Sequence, residues 1–269
     1  MKFKHVRNYG MLMVAVFLFR TLTFAQDAAN LAKQLSNPIA SLISVPFQNN
    51  TDYGIGELNG TRNTLNIQPV VPLSVSANLN LITRIVAPVV TQYNITGIDS
   101  KQSGLSDAVL SGFVSPKETK SGIVWGAGPV FLLPVGTDDY LTTKKFGVGP
   151  TAVVLKQNNG FTFGALLNQI WSVAGDKDRQ DVNQLFYQPF VSYNWASGAG
   201  VTFVMEGTQY WDSNDSNIWI SLPVSGVTAI GKQKVQLAFG PRMNVAAPDG
   251  GKADWGWRAA IVLLFPKKS

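Results

Sequence analysis

The segment 257–265, close to the end of the chain, constrains the fold more than any other stretch. Its odd-numbered residues are all apolar, and the run begins and ends on an aromatic side chain: Trp257, Ala259, Ile261, Leu263 and Phe265. Because successive side chains of a strand point to opposite sides, these five residues share one face. The segment therefore predicts a strand that buries one continuous apolar face.

Residues 1–25 have the pattern of a cleaved secretory signal. Three basic residues precede an apolar run at 11–19, and the small residues Thr23 and Ala25 occupy the −3 and −1 positions of a cleavage site. The apolar run is far shorter than the ~20 residues that a membrane-spanning helix needs. We therefore predict cleavage after Ala25 and export of the remaining chain.

An exported bacterial chain whose last strand has an apolar face ending in an aromatic is typical of an outer-membrane β-barrel. Only helices and closed barrels satisfy their own backbone polar groups in lipid, and the sequence offers no spanning helix after residue 25. We therefore predict an all-β protein located in the cell outer membrane. The five residues of the last strand are interpreted as the signal that the barrel-assembly machinery recognises.

Residues 26–38 are expected to form a short helix ahead of the barrel. Leu31 and Leu35 lie four positions apart, and Asn37 followed by Pro38 ends the helical pattern. Such a helix would lie either on the periplasmic side of the membrane or inside the barrel as a small plug.

The rest of the chain, residues 39–269, alternates strand-like segments with polar connections. Twelve strands are predicted, at 39–48, 62–74, 79–91, 104–115, 122–135, 145–155, 161–174, 184–195, 200–211, 217–227, 233–245 and 255–265. Long polar connections alternate with mostly short ones, as expected when antiparallel strands turn on the two sides of a membrane. The predicted fold is a transmembrane antiparallel β-barrel of about 12 strands with a short N-terminal helix.

Prolines recur inside the predicted strands, although a proline removes one hydrogen bond from a strand ladder. They are Pro46, Pro69, Pro88, Pro129, Pro150, Pro189, Pro223 and Pro241. Several follow a glycine, as in Gly128-Pro129 and Gly149-Pro150. We interpret them as bulges or bends at a common height, which help a barrel to curve and close.

Charge and composition argue against several kinds of protein. The 22 basic residues fall to 18 once the four in residues 1–25 are removed, against 16 acidic residues, so no basic surface for nucleic acid is expected. The only histidine is His5, and the chain has no cysteine. Ser-His and Cys-His nucleophiles, zinc sites and disulfides are therefore not expected in the exported chain, which predicts no enzyme, cofactor or metal.

Acidic residues concentrate in the long connections. Twelve of the 16 lie there, namely Asp52, Glu57, Asp99, Asp138, Asp139, Asp176, Asp178, Asp181, Asp212, Asp215, Asp249 and Asp254. Loops of any protein are polar, and this explanation is sufficient. The alternative is an acidic outer rim that attracts cations or lipopolysaccharide bridged by divalent ions.

Five stretches, spread over nearly the whole exported chain, resemble a known family. They run from Asn37 to Ala40 and Phe47 to Asn50, Leu81 to Val89, Gly126 to Pro134, Gln188 to Asn194, and Leu264 to Lys267. The chain is similar to the outer-membrane barrels named after the meta-pathway of phenol degradation, some of which carry the misleading name neuromedin U. The resemblance implies a transporter-like barrel for small organic compounds and transfers no catalytic or binding residues.

A barrel of twelve strands should enclose a narrow lumen, between the filled interior of ~8 strands and the open pore of 16–18. Polar residues expected to face it are Gln68, Arg84, Gln188, Glu206, Gln236, Arg242 and Arg258. The arginines with Glu206 either select anionic solutes or form a structural ladder of ion pairs. One hypothesis is a passive channel for small molecules, including hydrophobic or aromatic ones. The alternative is a closed barrel with a structural, lipid-binding or adhesive role.

Overall fold

The structure, a computed structural model, describes residues 26–119 and 122–266. Within them, the chain forms a closed, twelve-stranded antiparallel β-barrel with one short helix at its N-terminal side, which confirms the predicted fold class. The predicted signal peptide, residues 1–25, lies outside the described residues. In the described part of the chain, no helix has both the length and the apolar character needed to cross a membrane.

Helix α1 covers residues 26–35 and is followed by fifteen strand segments. The segments are β1 Ile43–Ile55, β2 Gly60–Ile67, β3 Val70–Ser74, β4 Leu79–Tyr93, β5 Lys101–Leu105, β6 Ala108–Pro116, β7 Ile123–Leu133, β8 Lys145–Asn158, β9 Phe161–Gly175, β10 Asn183–Asn194, β11 Ala199–Tyr210, β12 Asp215–Ser221, β13 Val224–Ile230, β14 Gln233–Ala246 and β15 Trp255–Phe265.

The fifteen segments make twelve strands because three strands are each interrupted once. The interruptions lie between β2 and β3, between β5 and β6, and between β12 and β13. Neighbouring strands pair antiparallel around the whole ring. The first and last strands close it, in a continuous register that runs from Ile43 opposite Phe265 to Tyr53 opposite Trp255.

Proline positions coincide with irregular points of the ladder. Pro69 and Pro223 lie in two of the strand interruptions, and Pro129 faces Pro150 across β7 and β8. Each interruption also donates a backbone hydrogen bond to a proline carbonyl of a neighbouring strand, namely Gln68 to Pro46, Ser106 to Pro88 and Leu222 to Pro241. This arrangement agrees with the interpretation of the prolines as bends at a common height.

The barrel is apolar outside and mixed inside, where polar and charged side chains lie beside clusters of apolar ones. Odd-numbered positions on β14 and β15 point outward, and Phe239 and Ile261 keep 59% and 47% of their surface exposed. Even-numbered positions such as Arg242 and Arg258 are buried. An apolar band around a closed barrel suits contact with lipid.

The connections at the two ends of the barrel differ less than the sequence suggests. The predicted long connection at 49–61 is mostly strand, and the turn itself covers only residues 56–59. The strands extend because the backbone of residues 48–53 continues to pair with β15 on one side and with β2 on the other. We name the end that holds turn 56–59 the long-loop end and the opposite end the tight-turn end.

Residues 26–42, the N-terminal segment, lie inside the ring at the tight-turn end. Leu31 and Leu42 pack against Val262 and Leu264 of β15. Ile39 belongs to a cluster of inward-facing side chains from seven strands, namely Val70, Ile82, Phe113, Val153, Leu155, Leu166, Phe190 and Val204. Contact with strands on so many sides of the ring places this segment across the lumen.

Polar contacts hold the same segment at three separate points of the ring. Gln157 Nε2 donates to the Lys33 carbonyl at 2.8 Å, and Asn194 Nδ2 donates to Ser36 Oγ at 2.7 Å. Lys234 Nζ forms an ion pair with Asp27 Oδ2 at 3.1 Å. The partners lie on β8, β10 and β14, so the segment is bonded to the barrel wall at separate points around the ring.

Candidate functional site in the barrel lumen

The predicted lumen residues come together inside the barrel. Five of them line one cavity of about 270 Å³, namely Gln68, Arg84, Gln188, Gln236 and Arg258. Glu206 adjoins this group through its contacts with Arg258 and Gln188, and Arg242 is buried next to it on β14. Their placement follows from the two-residue alternation of each strand.

Arg258 is the centre of the polar network. Its Nη2 lies 2.5 Å from Glu206 Oε2 on β11, and its Nε donates to Asn50 Oδ1 on β1 at 2.8 Å. Gln188 Nε2 donates to the other carboxylate oxygen of Glu206 at 3.3 Å. Arg258 thus connects both sides of the ring-closing seam to a strand on the far side of β14.

Arg242 forms a second buried ion pair, closer to the long-loop end. Its Nη1 lies 3.3 Å from Asp52 Oδ1, and both side chains are 6% exposed. The guanidinium carbon also lies 3.8 Å from the ring centroid of Trp219, which is cation–π geometry. Trp219 therefore faces the lumen, on the same side of the strand as the buried Ser221.

Arg84 and Arg62 are bonded differently, since their hydrogen-bond acceptors are amides. Arg84 Nη2 donates to Gln68 Oε1 at 2.7 Å, and Arg62 Nε donates to Gln92 Oε1 at 2.9 Å. Gln92 Nε2 in turn donates a hydrogen bond to Gln102 Oε1 at 3.1 Å. Among the described residues, no carboxylate lies within 4.0 Å of either guanidinium.

The lumen cluster therefore carries a net positive charge. It contains the four guanidiniums of Arg62, Arg84, Arg242 and Arg258 and only the carboxylates of Asp52 and Glu206. The ion-pair ladder expected from the sequence describes two of the arginines. The other two form no ion pair within 4.0 Å, although Asp52 lies opposite Arg62 in register and Glu206 interacts with Arg84 at longer range.

The cavity lies between this cluster and the N-terminal segment. Leu35, Pro38 and Leu42 bound it from the segment, and Arg84, Gln188 and Arg258 line it from the barrel wall. Its walls also contain apolar side chains, among them Phe190, Val204 and Val262. The cavity thus combines an apolar lining with amide and guanidinium groups.

Asp52 and Arg62 are functional-site candidates that the sequence reasoning missed. Asp52 was assigned to an outer loop, but it lies in β1 and is 4% exposed. Arg62 lies opposite it in register on β2. Residues 48–52 are polar at every position, so the sequence has no alternation there that could have found them.

The last strand presents its five assembly-signal candidates on one face, as predicted. Ile261 and Phe265 are 47% and 42% exposed, and the even-numbered neighbours Arg258, Val262 and Leu264 are buried. The geometry is thus an exposed apolar stripe on β15. Recognition of that stripe by assembly machinery stays a prediction.

Most of the acidic residues placed in connections by the sequence do lie there, and two of them hold ion pairs. The pKa of Asp181 is lowered, first by a hydrogen bond from Lys145 and then by one from Ser172. The pKa of Asp139 is lowered by its hydrogen bond and ion pair with Lys144. Within residues 26–119 and 122–266, no three His, Cys, Asp or Glu side chains group as a candidate metal site.

Asp107 acts as an anchor for the connection between β7 and β8. Its two carboxylate oxygens accept hydrogen bonds from Thr142 Oγ1 at 2.5 Å, Thr143 N at 2.7 Å and Thr143 Oγ1 at 2.6 Å. Asp107 itself lies in the interruption between β5 and β6. The interruption of the strand thus places a buried carboxylate within hydrogen-bond distance of the neighbouring loop.

The fold and lumen define a transmembrane-type β-barrel with a polar interior, and solved structures share this architecture. An outer membrane channel from Pseudomonas putida F1 matches with a TM-score of 0.66 and 14% identity, over 85% of this chain and 96% of that one. The β domain of the Bordetella autotransporter BrkA matches with a TM-score of 0.45 and 13% identity, over 84% and 100%. No family model and no curated protein matches the chain. The resemblance to the phenol meta-pathway family stays a prediction.

One prediction requires correction. The outer membrane phospholipase OMPLA of Salmonella typhi, solved as a dimer with bound calcium, also matches, with a TM-score of 0.47 and 11% identity over 90% of this chain and 98% of that one. The prediction excluded enzymatic activity for this chain, and that exclusion is wrong, because a barrel with enzymatic activity occurs among the matches. Histidine and cysteine content does not decide the question.

Proposed function

We propose that this protein is a channel of the outer membrane that lets small solutes, including hydrophobic or aromatic molecules, pass along its lumen. The observation that carries the proposal is the cavity of about 270 Å³ inside the ring. A twelve-stranded barrel has room for such a passage, whereas ~8 strands fill their interior with side chains. The apolar outer face supports a position in lipid.

The proposal includes the export route expected from the sequence. Cleavage after Ala25 would free the N-terminal segment, and the apolar stripe of β15 would be presented to the barrel-assembly machinery. The structural match to an outer membrane channel from Pseudomonas putida F1 supports the proposed location and role. Its low identity, 14%, gives no information about the solute.

In this proposal the N-terminal segment is the plug of the channel. It is fixed at Lys33, Ser36 and Asp27 by bonds to three strands, and its apolar side chains seal against β15. A solute that crosses the lumen must therefore pass or displace this segment. The affinity of the segment for the barrel wall would set how often the passage is open.

The same contacts favour a second candidate, a closed barrel with a structural, lipid-binding or adhesive role. A segment held at three points can block the lumen permanently. In that case the connections of the long-loop end would be the functional surface, and their acidic residues would bind lipopolysaccharide through divalent ions. Movement of the segment distinguishes the two candidates.

The test restrains the segment where Asn194 bonds to Ser36. The chain contains no native cysteine, so S36C/N194C can be joined by a short, reducible bifunctional thiol reagent. We expect the crosslinked protein to show few conductance steps in a planar bilayer and reductant to restore them. The control is S36C alone, treated identically. Conductance that is equal with and without the crosslink would contradict the plug, and silence in all states from a folded barrel would favour the closed barrel.

A further inference from the structure

Among the described residues, Arg84 is the arginine of the cavity wall that forms no direct ion pair. Arg258 also lines the cavity, but it is already paired with Glu206 at 2.5 Å. Arg84 bonds only to the amide oxygen of Gln68 at 2.7 Å and interacts with Glu206 at longer range. A guanidinium has five N–H donors, so Arg84 can still bind an anion.

The neighbouring groups restrict the charge of such an anion. Glu206 lies beside Arg258 and would repel a second negative charge at close range. Gln68, which contacts Arg84, and Gln188, which also lines the cavity, offer neutral amide groups. The site therefore suits a single carboxylate, which the planar fork of an arginine binds with two parallel hydrogen bonds.

The remaining wall suits an apolar body. Phe190, Val204 and Val262 contribute apolar surface to the cavity, and Leu42 closes it from the N-terminal segment. The volume of about 270 Å³ lies just below the range of about 300–1,000 Å³ that is typical of small-molecule sites. A short amphipathic molecule fits this combination better than a large or highly polar one.

We propose that the cavity is a binding site for a small amphipathic monocarboxylate, with its carboxylate on Arg84 and its apolar part against Phe190, Val204 and Val262. The inference rests on the proposed function, because it names the class of solute that the lumen holds. Arg62 lies towards the long-loop end, where it bonds to Gln92, eight residues and about 25 Å along β4 from Arg84. It offers a first cationic contact on the way to the site.

Calorimetric titration of the purified protein in neutral detergent tests the site with hexanoate and with hexanamide, its uncharged analogue of the same shape. We expect hexanoate to bind, and R84Q to weaken it at least about tenfold, the effect of a lost charge-assisted hydrogen bond. R62Q is the matched control, since it removes the same charge from an arginine that does not line the cavity. Its effect should stay below about threefold, because only charge at a distance changes.

Two further variants keep the test decisive if R84Q does not fold. R84K keeps the charge but loses the planar fork, so it should weaken hexanoate more than hexanamide. A260F fills the cavity from β15 and should weaken both ligands. Equal weakening by R84Q and R62Q would overturn the inference in favour of a general lumen field, and so would hexanoate binding no better than hexanamide.

Bilayer recordings separate this inference from the channel itself. If hexanoate binding depends on Arg84 but the protein never conducts, the channel function is wrong and the carboxylate site stands. If the protein conducts but does not bind hexanoate, the channel function stands and the carboxylate site is wrong.

Discussion

Arg258 on β15 and Glu206 on β11 are joined at 2.5 Å across the interior of the barrel, although two strands separate them in the ring. The Arg258 side chain is 5% exposed and the Glu206 side chain is 20% exposed. The pair therefore stabilises the shape of the lumen by joining two parts of its wall that lie about a quarter of the ring apart. The carboxylate of Glu206 also neutralises one of the four positive charges of the lumen cluster.

Removing one partner of this pair should cost more than removing both. E206Q leaves Arg258 uncompensated and should lower the free energy of unfolding by about 2 kcal/mol, less than for a fully buried pair because Glu206 keeps some exposure. The double variant E206Q/R258Q should recover much of that loss. Urea unfolding in detergent gives the coupling from the double-mutant cycle. D249N, on a connection, is the charge control, and strictly additive effects would disprove the coupling.

Gly198 should be essential for the fit of the N-terminal segment. It has φ +83°, and a Cβ at this position would lie 2.7 Å from Ala28 Cβ. Gly231, in another turn of the tight-turn end, also has a positive φ, +61°, but a Cβ there meets open space. G198A and G231A therefore share a backbone strain of roughly 1–2 kcal/mol, and only G198A disturbs the segment. We expect increased conductance for G198A alone, measured in planar bilayers; equal conductance in both would mean that Ala28 does not seal the barrel.

Asp107 should control the mobility of the loop between β7 and β8. D107N removes the charge from an acceptor of three short hydrogen bonds, and hydrogen bonds to charged groups contribute about 1.5–3 kcal/mol each before relaxation. We expect protease cleavage within residues 134–144 to become roughly tenfold faster, as for a local loss of about 1.4 kcal/mol. D178N, in the next long connection, should leave cleavage of this loop unchanged. Unchanged cleavage in D107N would show that the threonines hold the loop without the carboxylate.

The ion pair between Asp181 and Lys145 predicts a defined pH dependence. The folded state lowers the pKa of Asp181 below its ordinary 3.8, so the pair stabilises the protein above that pH. The stabilisation is lost as the pH falls through the lowered pKa. The difference in urea midpoint between the wild type and D181N should be present at pH 6 and should vanish in strongly acidic buffer. A difference that persists below the lowered pKa would show that the ionised carboxylate is not its source.

The alternation of side chains made most of the barrel predictable. Each of the twelve predicted strands overlaps an observed one, although the first, predicted at 39–48, is found at Ile43–Ile55, and inward positions such as Arg84 and Arg258 follow from side-chain alternation. Polar composition was a poorer guide, since Asp52 was assigned to a loop because its surroundings are polar. In a membrane barrel the interior is polar too, so polarity alone does not separate lumen from loop.

The sequence could not predict which charged side chains form ion pairs inside the lumen. Glu206 and Arg258 are 52 residues apart and Asp52 and Arg242 are 190 apart, so only the closed ring shows which charges meet. The position of the N-terminal segment depended likewise on its fit to the finished wall. The helix itself was predictable from its leucine spacing, but a plug and a peripheral helix have the same sequence pattern.

Ring closure between Ile43 and Phe265 determines the order in which this molecule can be completed. The final seam needs the last strand, so a nearly full-length chain has to be available before the first strand gains its second neighbour. The N-terminal segment precedes the first strand and lies within the ring, where Leu31 and Leu42 contact Val262 and Leu264 of the last strand. A chain shortened by its last dozen residues would therefore leave both the seam and the enclosed segment without their partners.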